Sequence, residues 1–207
     1  IACLCLPVII AISVIPASTA SSITHWIVGL FTTGSISFGC AFVKGKNLVP
    51  KPAAGITQSA YMVNDRQKVN LAREILRAKG KDLSHVLIFA SSIKSVKEIK
   101  QTLNKAGMRA SEMHSGLDQD QREETIRDFK NKKIKILVAT DILSRGIDIQ
   151  EIELVINYEV PHDAEDYVHR IGRTARADRT GEAITFINPK QVRNFKDIEK
   201  LIEKEVP

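Results

Sequence analysis

From about residue 51 to the end of the chain, two hydrophobic patterns alternate, one typical of buried strands and one typical of helices. Continuous apolar runs at 86–90, 135–140, 153–158 and 182–187 are typical of short strands buried on both faces. Between these runs, apolar residues recur at helical spacing. Strands that alternate with helices predict a parallel sheet covered on both faces, which is an α/β three-layer domain.

The boundaries of the predicted helices rest on turn and capping residues. Gly80 ends a helix over 66–79, and Gly107 ends the helix that follows the strand at 86–90. Asp118 is placed to cap a helix with Gln121 at its third position, after a shorter strand candidate at 110–114. An acid-rich helix start follows residue 163, and 188–189 opens the last helix.

The first part of the chain has a different character. No Lys, Arg, Asp or Glu occurs over 1–43, and all 54 charged residues follow it. Three interpretations are open for this uncharged hydrophobic segment: a membrane or export segment, a hydrophobic structural segment, or non-native sequence. We therefore predict an atypical segment over 1–49 and a domain over 50–207.

Overall composition favours a globular domain with a polyanionic partner. The 207 residues are 43% hydrophobic and 26% charged, with a net charge of +6. The sequence pI is about 9.2 and the mean hydropathy is −0.09. Because Cys3, Cys5 and Cys40 all lie in the uncharged part, the charged domain needs no disulfide.

The loops that follow the predicted strands carry an unusual set of polar residues. In parallel α/β sheets ligands bind at the carboxyl ends of the strands. Arg170, Arg173 and Arg176 recur every three residues, which places them roughly on one side while the chain is helical. Gly172 lets the chain leave the helix, so that two of the guanidinium groups are expected to project outward. Guanidinium groups bind phosphate oxygens bidentately. The alternative is a solvated basic helix whose arginines pair with nearby acidic residues.

Five ordered motifs resemble those of DEAD-box ATP-dependent RNA helicases. HRIGRTAR at 169–176 resembles the family's HRIGRTGR, and 139–148 resembles ATD-x-x-x-RG-x-D. Further motifs match at 86–92, at 114–123 and at 155–158 before Pro161. The resemblance covers roughly 52–205, is to the second, C-terminal RecA-like domain, and has the character of bacterial members. Ala175 departs from the family pattern, which has Gly there and therefore tolerates a positive φ.

The resemblance implies an ATP site. The family's counterparts of Arg173 and Arg176 act as arginine fingers on the γ-phosphate, so these two are the implied catalytic residues. The counterpart of His169 helps to link ATP to RNA, and that of Asp148 approaches the ribose. ATP and Mg²⁺ are the implied cofactors. The magnesium is expected to be held by the family's first domain, and this chain has no implied metal ligand.

The resemblance also implies an RNA site. Thr140, Arg145 and Gly146 match positions at the RNA backbone, and Gln119 and Arg122 match further RNA-contacting positions. Contacts to phosphate and 2′-hydroxyl groups would make binding independent of RNA sequence and sensitive to salt. For Arg122, the alternative is an ion pair with Glu123 or Asp118. Two further residues of the motifs are expected to hold loops in place and not to touch a ligand. The two loop-holding residues are His114 and Asp141.

The family's first RecA-like domain is expected to be absent from this chain. Its Walker A lysine and Asp-Glu-Ala-Asp tetrad do not occur, the chain begins with Ile, and 1–49 does not resemble the end of that domain. These observations indicate a fragment, and a shifted reading frame before residue 50 is one hypothesis for the uncharged segment.

Two functions follow as expectations. The first is the C-terminal half of an ATP-dependent RNA helicase that is inactive alone, cytoplasmic, and not an obligate oligomer. The second is a standalone RNA-binding or regulatory module without ATPase activity, tethered to a membrane if 1–43 is a genuine anchor.

Overall fold

A computed structural model describes residues 52, 55–79, 83–141, 152–175 and 180–207. Strands and helices alternate over most of this length, as the hydrophobic pattern predicts. The elements in chain order are β1 (Ile56–Met62), α1 (Asp65–Lys79), β2 (Val86–Phe89), α2 (Ile93–Lys105), β3 (Ala110–Met113), α3 (Gln119–Lys130), β4 (Ile136–Ala139), β5 (Leu154–Asn157), α4 (Ala164–Ile171), β6 (Gly181–Ile187) and α5 (Val192–Ile202).

The strands form one sheet in the order β1-β6-β5-β2-β4-β3, and every neighbouring pair is parallel. All carboxyl ends therefore lie at one edge of the sheet. The central strands β2, β4 and β5 are buried along their whole length, which explains their continuous apolar runs.

Alternate strand residues point into two helical layers. On one face, Ile88, Val138 and Ile156 pack with apolar side chains of α1 and α2. On the other face, Leu87, Leu137 and Val155 pack in one cluster with Phe129 of α3, and β1 and β6 pack against α4 and α5. The predicted three-layer α/β fold is confirmed, with helices covering both faces of the sheet.

One strand was not predicted. β1 pairs in register with β6 at the sheet edge, but polar residues interrupt the apolar positions of its sequence ITQSAYM. Gln58 is only 6% exposed, and its Oε1 accepts a hydrogen bond from Tyr167 Oη at 2.9 Å. A buried polar side chain with a distant partner gives no local signal of a strand.

The last helix begins three residues later than the sequence suggests. Asn188 does not open it directly: Asn188 Oδ1 accepts from the backbone N–H of Gln191, which is the residue before α5. Among the described helices, none is both long and apolar enough to cross a membrane. The boundary between the segment at 1–49 and the domain at 50–207 stays a prediction.

Candidate functional site

The carboxyl edge of the sheet gathers the loops that carry the predicted site residues. Thr140 directly follows β4, and its backbone N–H donates to the carbonyl of Met113 at the end of β3. Thr140 is 7% exposed, and its Oγ1 has no hydrogen-bond partner among the described residues. The loops after β3 and β4 are thus joined at this edge, with the Thr140 hydroxyl buried between them.

Arg170 fastens α4 to this edge. Its Nε and Nη2 donate to the two carboxylate oxygens of Asp141, each at 2.6 Å, in the bidentate geometry that guanidinium and carboxylate groups favour. Its Nη1 donates to the carbonyl of Glu159 at 3.0 Å and reaches Asn157 Oδ1 at 3.4 Å. Its guanidinium also lies 5.3 Å from the ring centroid of Phe89. One side chain therefore contacts the ends of β2, β4 and β5.

Arg170, the arginine that precedes Gly172, points into the domain. This residue is 1% exposed and pairs with Asp141, not with the acidic residues at the start of its own helix. Asp141 holds the loop after β4, as expected. The three-residue spacing of the arginines is a helical pattern, but α4 ends at Ile171, so Arg173 lies outside the helix.

After α4, Thr174 attaches the chain to the segment that precedes β5. Its Oγ1 donates to the carbonyl of Ile152 at 2.6 Å, and these two residues form an isolated parallel bridge. Gly181 packs so closely here that a Cβ would lie 2.6 Å from the backbone nitrogen of Ala175. Arg173, which is half-buried, is therefore held between the end of α4 and a fixed threonine.

The family motif has glycine at two positions, which are Gly172 and Ala175 in this chain, and the structure gives a different reason for glycine at each. Gly172 caps α4 with a φ of −67°, so it does not need left-handed backbone; a Cβ there would lie 3.0 Å from the carbonyl oxygen of Val168. Ala175 does adopt a positive φ of 55°, the conformation that the family's glycine would take without strain. The substitution noted in the sequence thus keeps the backbone path at a conformational cost.

Helix α3 presents two further predicted residues. The predicted capping box at Asp118 is present, since its side chain accepts from Gln121 N at 2.8 Å. Gln119 is exposed and donates to Glu123 Oε1 at 2.7 Å. Arg122 Nη2 donates to the carbonyl of Ser115 at 2.9 Å, which differs from the ion pair considered for it. Both residues lie next to the loop after β3.

The two histidines of the motifs differ in environment. His114 is 2% exposed, and its Nδ1 accepts from the backbone N–H of Gly116 at 3.1 Å, so it holds its loop as expected. His169 lies on α4 with its side chain 40% exposed and its Nδ1 4.0 Å from Asp166 Oδ1. His169 is therefore accessible beside the Arg170 network.

The remaining predicted site residues lie outside the described residues. These are Arg145, Gly146, Asp148 and Arg176. Within the part of the chain that the structure describes, no group of three or more His, Cys, Asp or Glu side chains could hold a metal ion. No magnesium chemistry is therefore assigned to these residues.

Sequence reasoning missed Arg170 as the residue that joins the loops. A signal was present, since Asp141 directly follows an apolar strand and Arg170 belongs to a helix with apolar neighbours at 167, 168 and 171. A charged residue within an apolar helical face indicates a buried partner elsewhere.

Comparison with known proteins agrees with this arrangement. Residues 67–178, more than half of the chain, match the family of the helicase conserved C-terminal domain. A probable ATP-dependent RNA helicase of Methanocaldococcus jannaschii is 40% identical over 74% of this chain and 41% of its own length. The DEAD-box ATP-dependent RNA helicase CshA of Geobacillus kaustophilus is 35% identical over 79% of this chain and 34% of its own length.

Solved structures have the same fold. The C-terminal domain of the DEAD-box protein Dbp5 matches with a TM-score of 0.67 and 30% identity, over 73% of this chain and 88% of that one. Dbp5 of S. cerevisiae bound to RNA and ADP BeF3 matches with a TM-score of 0.66 and 29% identity, over 76% of this chain and 40% of that one. This chain covers 41% of the Methanocaldococcus jannaschii protein and 34% of CshA, so it spans about a third to two fifths of the length of these relatives. From its motifs, its all-parallel sheet and these matches, the chain belongs to the DEAD-box ATP-dependent RNA helicases and carries their C-terminal RecA-like domain.

Proposed function

We propose that this chain supplies half of a composite ATP and RNA site in an ATP-dependent RNA helicase. The Arg170–Asp141 pair carries the proposal, because it fixes α4 to the loop that begins at Thr140. In this arrangement, the β3 and β4 loops offer RNA contacts and the end of α4 offers ATP contacts. Nucleotide state and RNA position are then communicated through one rigid connection.

The RNA contacts are assigned to the β3 and β4 side. Gln119 is exposed, and the one hydrogen bond that the Arg122 side chain makes to another described residue goes to a backbone carbonyl, so both side chains can reach phosphate oxygens. The buried Thr140 hydroxyl would have to become accessible before it could donate to a phosphate or accept from a 2′-hydroxyl. Arg145 and Gly146 complete this set in our proposal.

The ATP contacts are assigned to the end of α4. Arg173, together with Arg176, would stabilise the negative charge that spreads over the transferring phosphoryl group. His169 and Asp148 would contact the nucleotide. A first RecA-like domain would have to supply the phosphate-binding loop and the magnesium ligands, so we propose that the 207-residue chain alone hydrolyses no ATP.

An ATPase assay on a two-domain fusion tests the finger assignment. The chain is joined to a first RecA-like domain from a DEAD-box relative, and Arg173→Ala is compared with Arg193→Ala, an exposed arginine of α5. We expect kcat with saturating RNA to fall by roughly 10³-fold or more for Arg173→Ala. The Arg193→Ala control should keep full activity, and full activity of Arg173→Ala would refute the assignment.

RNA binding by the chain itself tests the second half of the proposal. Binding of a labelled uridine dodecamer is followed by fluorescence anisotropy for the wild type and for Arg122→Ala with Arg145→Ala. Arg127→Ala, exposed on the same helix, is the matched control. We expect the double variant alone to lose at least tenfold in affinity and to show a smaller salt dependence. Strong RNA binding with no ATPase activity in the fusion would favour a standalone RNA-binding module instead.

A further inference from the structure

A groove of about 370 Å³ lies at the amino edge of the sheet, opposite the candidate site. It is bounded by the last turn of α1, the turn after α2, and the first residues of β2 and β4. Its volume is within the range of about 300–1,000 Å³ typical of pockets that bind ligands. The proposed ATP and RNA contacts do not use this edge.

The floor of the groove is apolar. Leu76, Val86 and Ile136 form its base and are at most 5% exposed. Leu83 and Met108 form its sides and are only partly buried. A methionine on such a wall can adapt its unbranched side chain to different apolar partners.

The rim of the groove is positively charged. Arg77, Arg109 and Lys135 line it, and none of the described lining residues is a carboxylate. Arg77 is 3.3 Å from Glu74, whereas Arg109 and Lys135 form no ion pair with any of the described residues. Other basic residues of this domain, such as Lys79 with Glu182, do have carboxylate partners. Among the described residues, Arg109 and Lys135 therefore leave positive charge on this rim without a carboxylate partner.

We propose that this groove binds a short acidic segment of a partner protein, with apolar side chains inserted between the basic rim residues. Charge complementarity selects an acidic partner, and the apolar floor selects one with Leu, Ile, Met or Phe anchors. RNA fits less well, because none of the described lining residues is aromatic and single-stranded RNA needs stacking surfaces. A partner at the amino edge would leave the carboxyl edge open, so it can bind while substrate is bound.

Selection of peptides against the chain tests the proposal. A displayed library of random 12-residue peptides is selected against the 207-residue wild type, and the most enriched peptide is synthesised with a fluorescent label. We expect the enriched peptides to combine Asp or Glu with large apolar residues. Affinity for the labelled peptide should fall at least tenfold in Arg109→Glu with Lys135→Glu, and should weaken as salt is raised.

The control variant reverses the same amount of charge elsewhere. Lys196→Glu with Lys204→Glu changes two exposed lysines near the end of the chain and should bind the peptide like the wild type. Thermal unfolding is measured to check that each variant is folded. If the double reversal is unfolded, two other variants take its place: Arg109→Gln with Lys135→Gln, and Met108→Gln alone. These variants should also bind the peptide at least tenfold more weakly.

Several outcomes would overturn the proposal. One is failure to enrich acidic peptides, and another is equal loss of binding in the control variant. A third is loss of uridine dodecamer binding, but not of peptide binding, in the double reversal, which would make the groove an RNA surface. Because no ATPase measurement enters this test, its result is independent of the proposed helicase function.

Discussion

Helices α3 and α4 both carry proposed site residues at the carboxyl edge, but they are held in different ways. In α3, Phe129 is the buried residue, and the polar side chains bond to neighbours within seven positions. In the shorter α4, Tyr167, Val168, Arg170 and Ile171 are buried. Its polar bonds reach residues 29 and 109 positions away. The helix proposed to contact RNA is fixed locally, whereas the helix that leads to the proposed arginine finger is fixed by contacts across the domain.

The largest expected effect is the loss of the Arg170–Asp141 pair. Arg170→Ala removes a buried guanidinium, and with it the hydrogen bonds that this group donates to Asp141, Asn157 and the Glu159 carbonyl. We expect the free energy of unfolding to fall by about 3–5 kcal/mol, measured by urea denaturation.

An exposed arginine of α3 provides the control for this prediction. Arg127→Ala should change stability by at most about 0.5 kcal/mol. Asp141→Ala should add little to Arg170→Ala in the double variant, because the two residues act together. An unchanged urea midpoint for Arg170→Ala would mean that α4 is held by its apolar residues alone.

Tyr167→Phe should have an intermediate effect that depends on pH. Burial raises the pKa of Tyr167 to about 12, and its hydroxyl donates to the buried Gln58. Phenylalanine leaves Gln58 Oε1 without that donor, so we expect a loss of about 1–3 kcal/mol at pH 7.

The sign of the pH effect follows from the raised pKa. Protonated Tyr167 stabilises the folded state fully below pH 10, the ordinary value, and this contribution is lost as the pH rises through about 12. The difference in urea midpoint between wild type and Tyr167→Phe should therefore narrow from pH 9 towards pH 11. Tyr158, whose pKa burial also raises to about 12, is present in both proteins and cancels. A constant difference would show that the pKa of Tyr167 is the same in the folded and unfolded states.

The smallest effect is expected at the start of α3. Asp118→Ala removes the side-chain cap on Gln121 N and should cost about 1 kcal/mol by urea denaturation. Asp118→Asn keeps a side-chain acceptor and should recover most of that stability. If Asp118→Ala destabilised as much as Arg170→Ala, the contrast between a locally and a globally fixed helix would be wrong.

The same contrast explains which features could be predicted from the sequence. The capping residues of α3 lie within a few positions of one another, and the central strands are uninterrupted apolar runs, so both are visible in a short window. The partners of Arg170 and Gln58 are distant in sequence, and a short window treats both residues as exposed. Local chemistry predicts helix ends and buried strands, while long-range pairing of polar groups becomes visible only in the folded chain.

The pairing of β1 with β6 has a consequence for synthesis on the ribosome. Ile56 and Gly181 are partners across this pair, yet about 125 residues separate them along the chain. The edge strand emerges first but has no place in the sheet until the last strand has been made. Assembly from the central strands outward is therefore expected, and β1 joins last, after a long loop closure that slows completion of the domain.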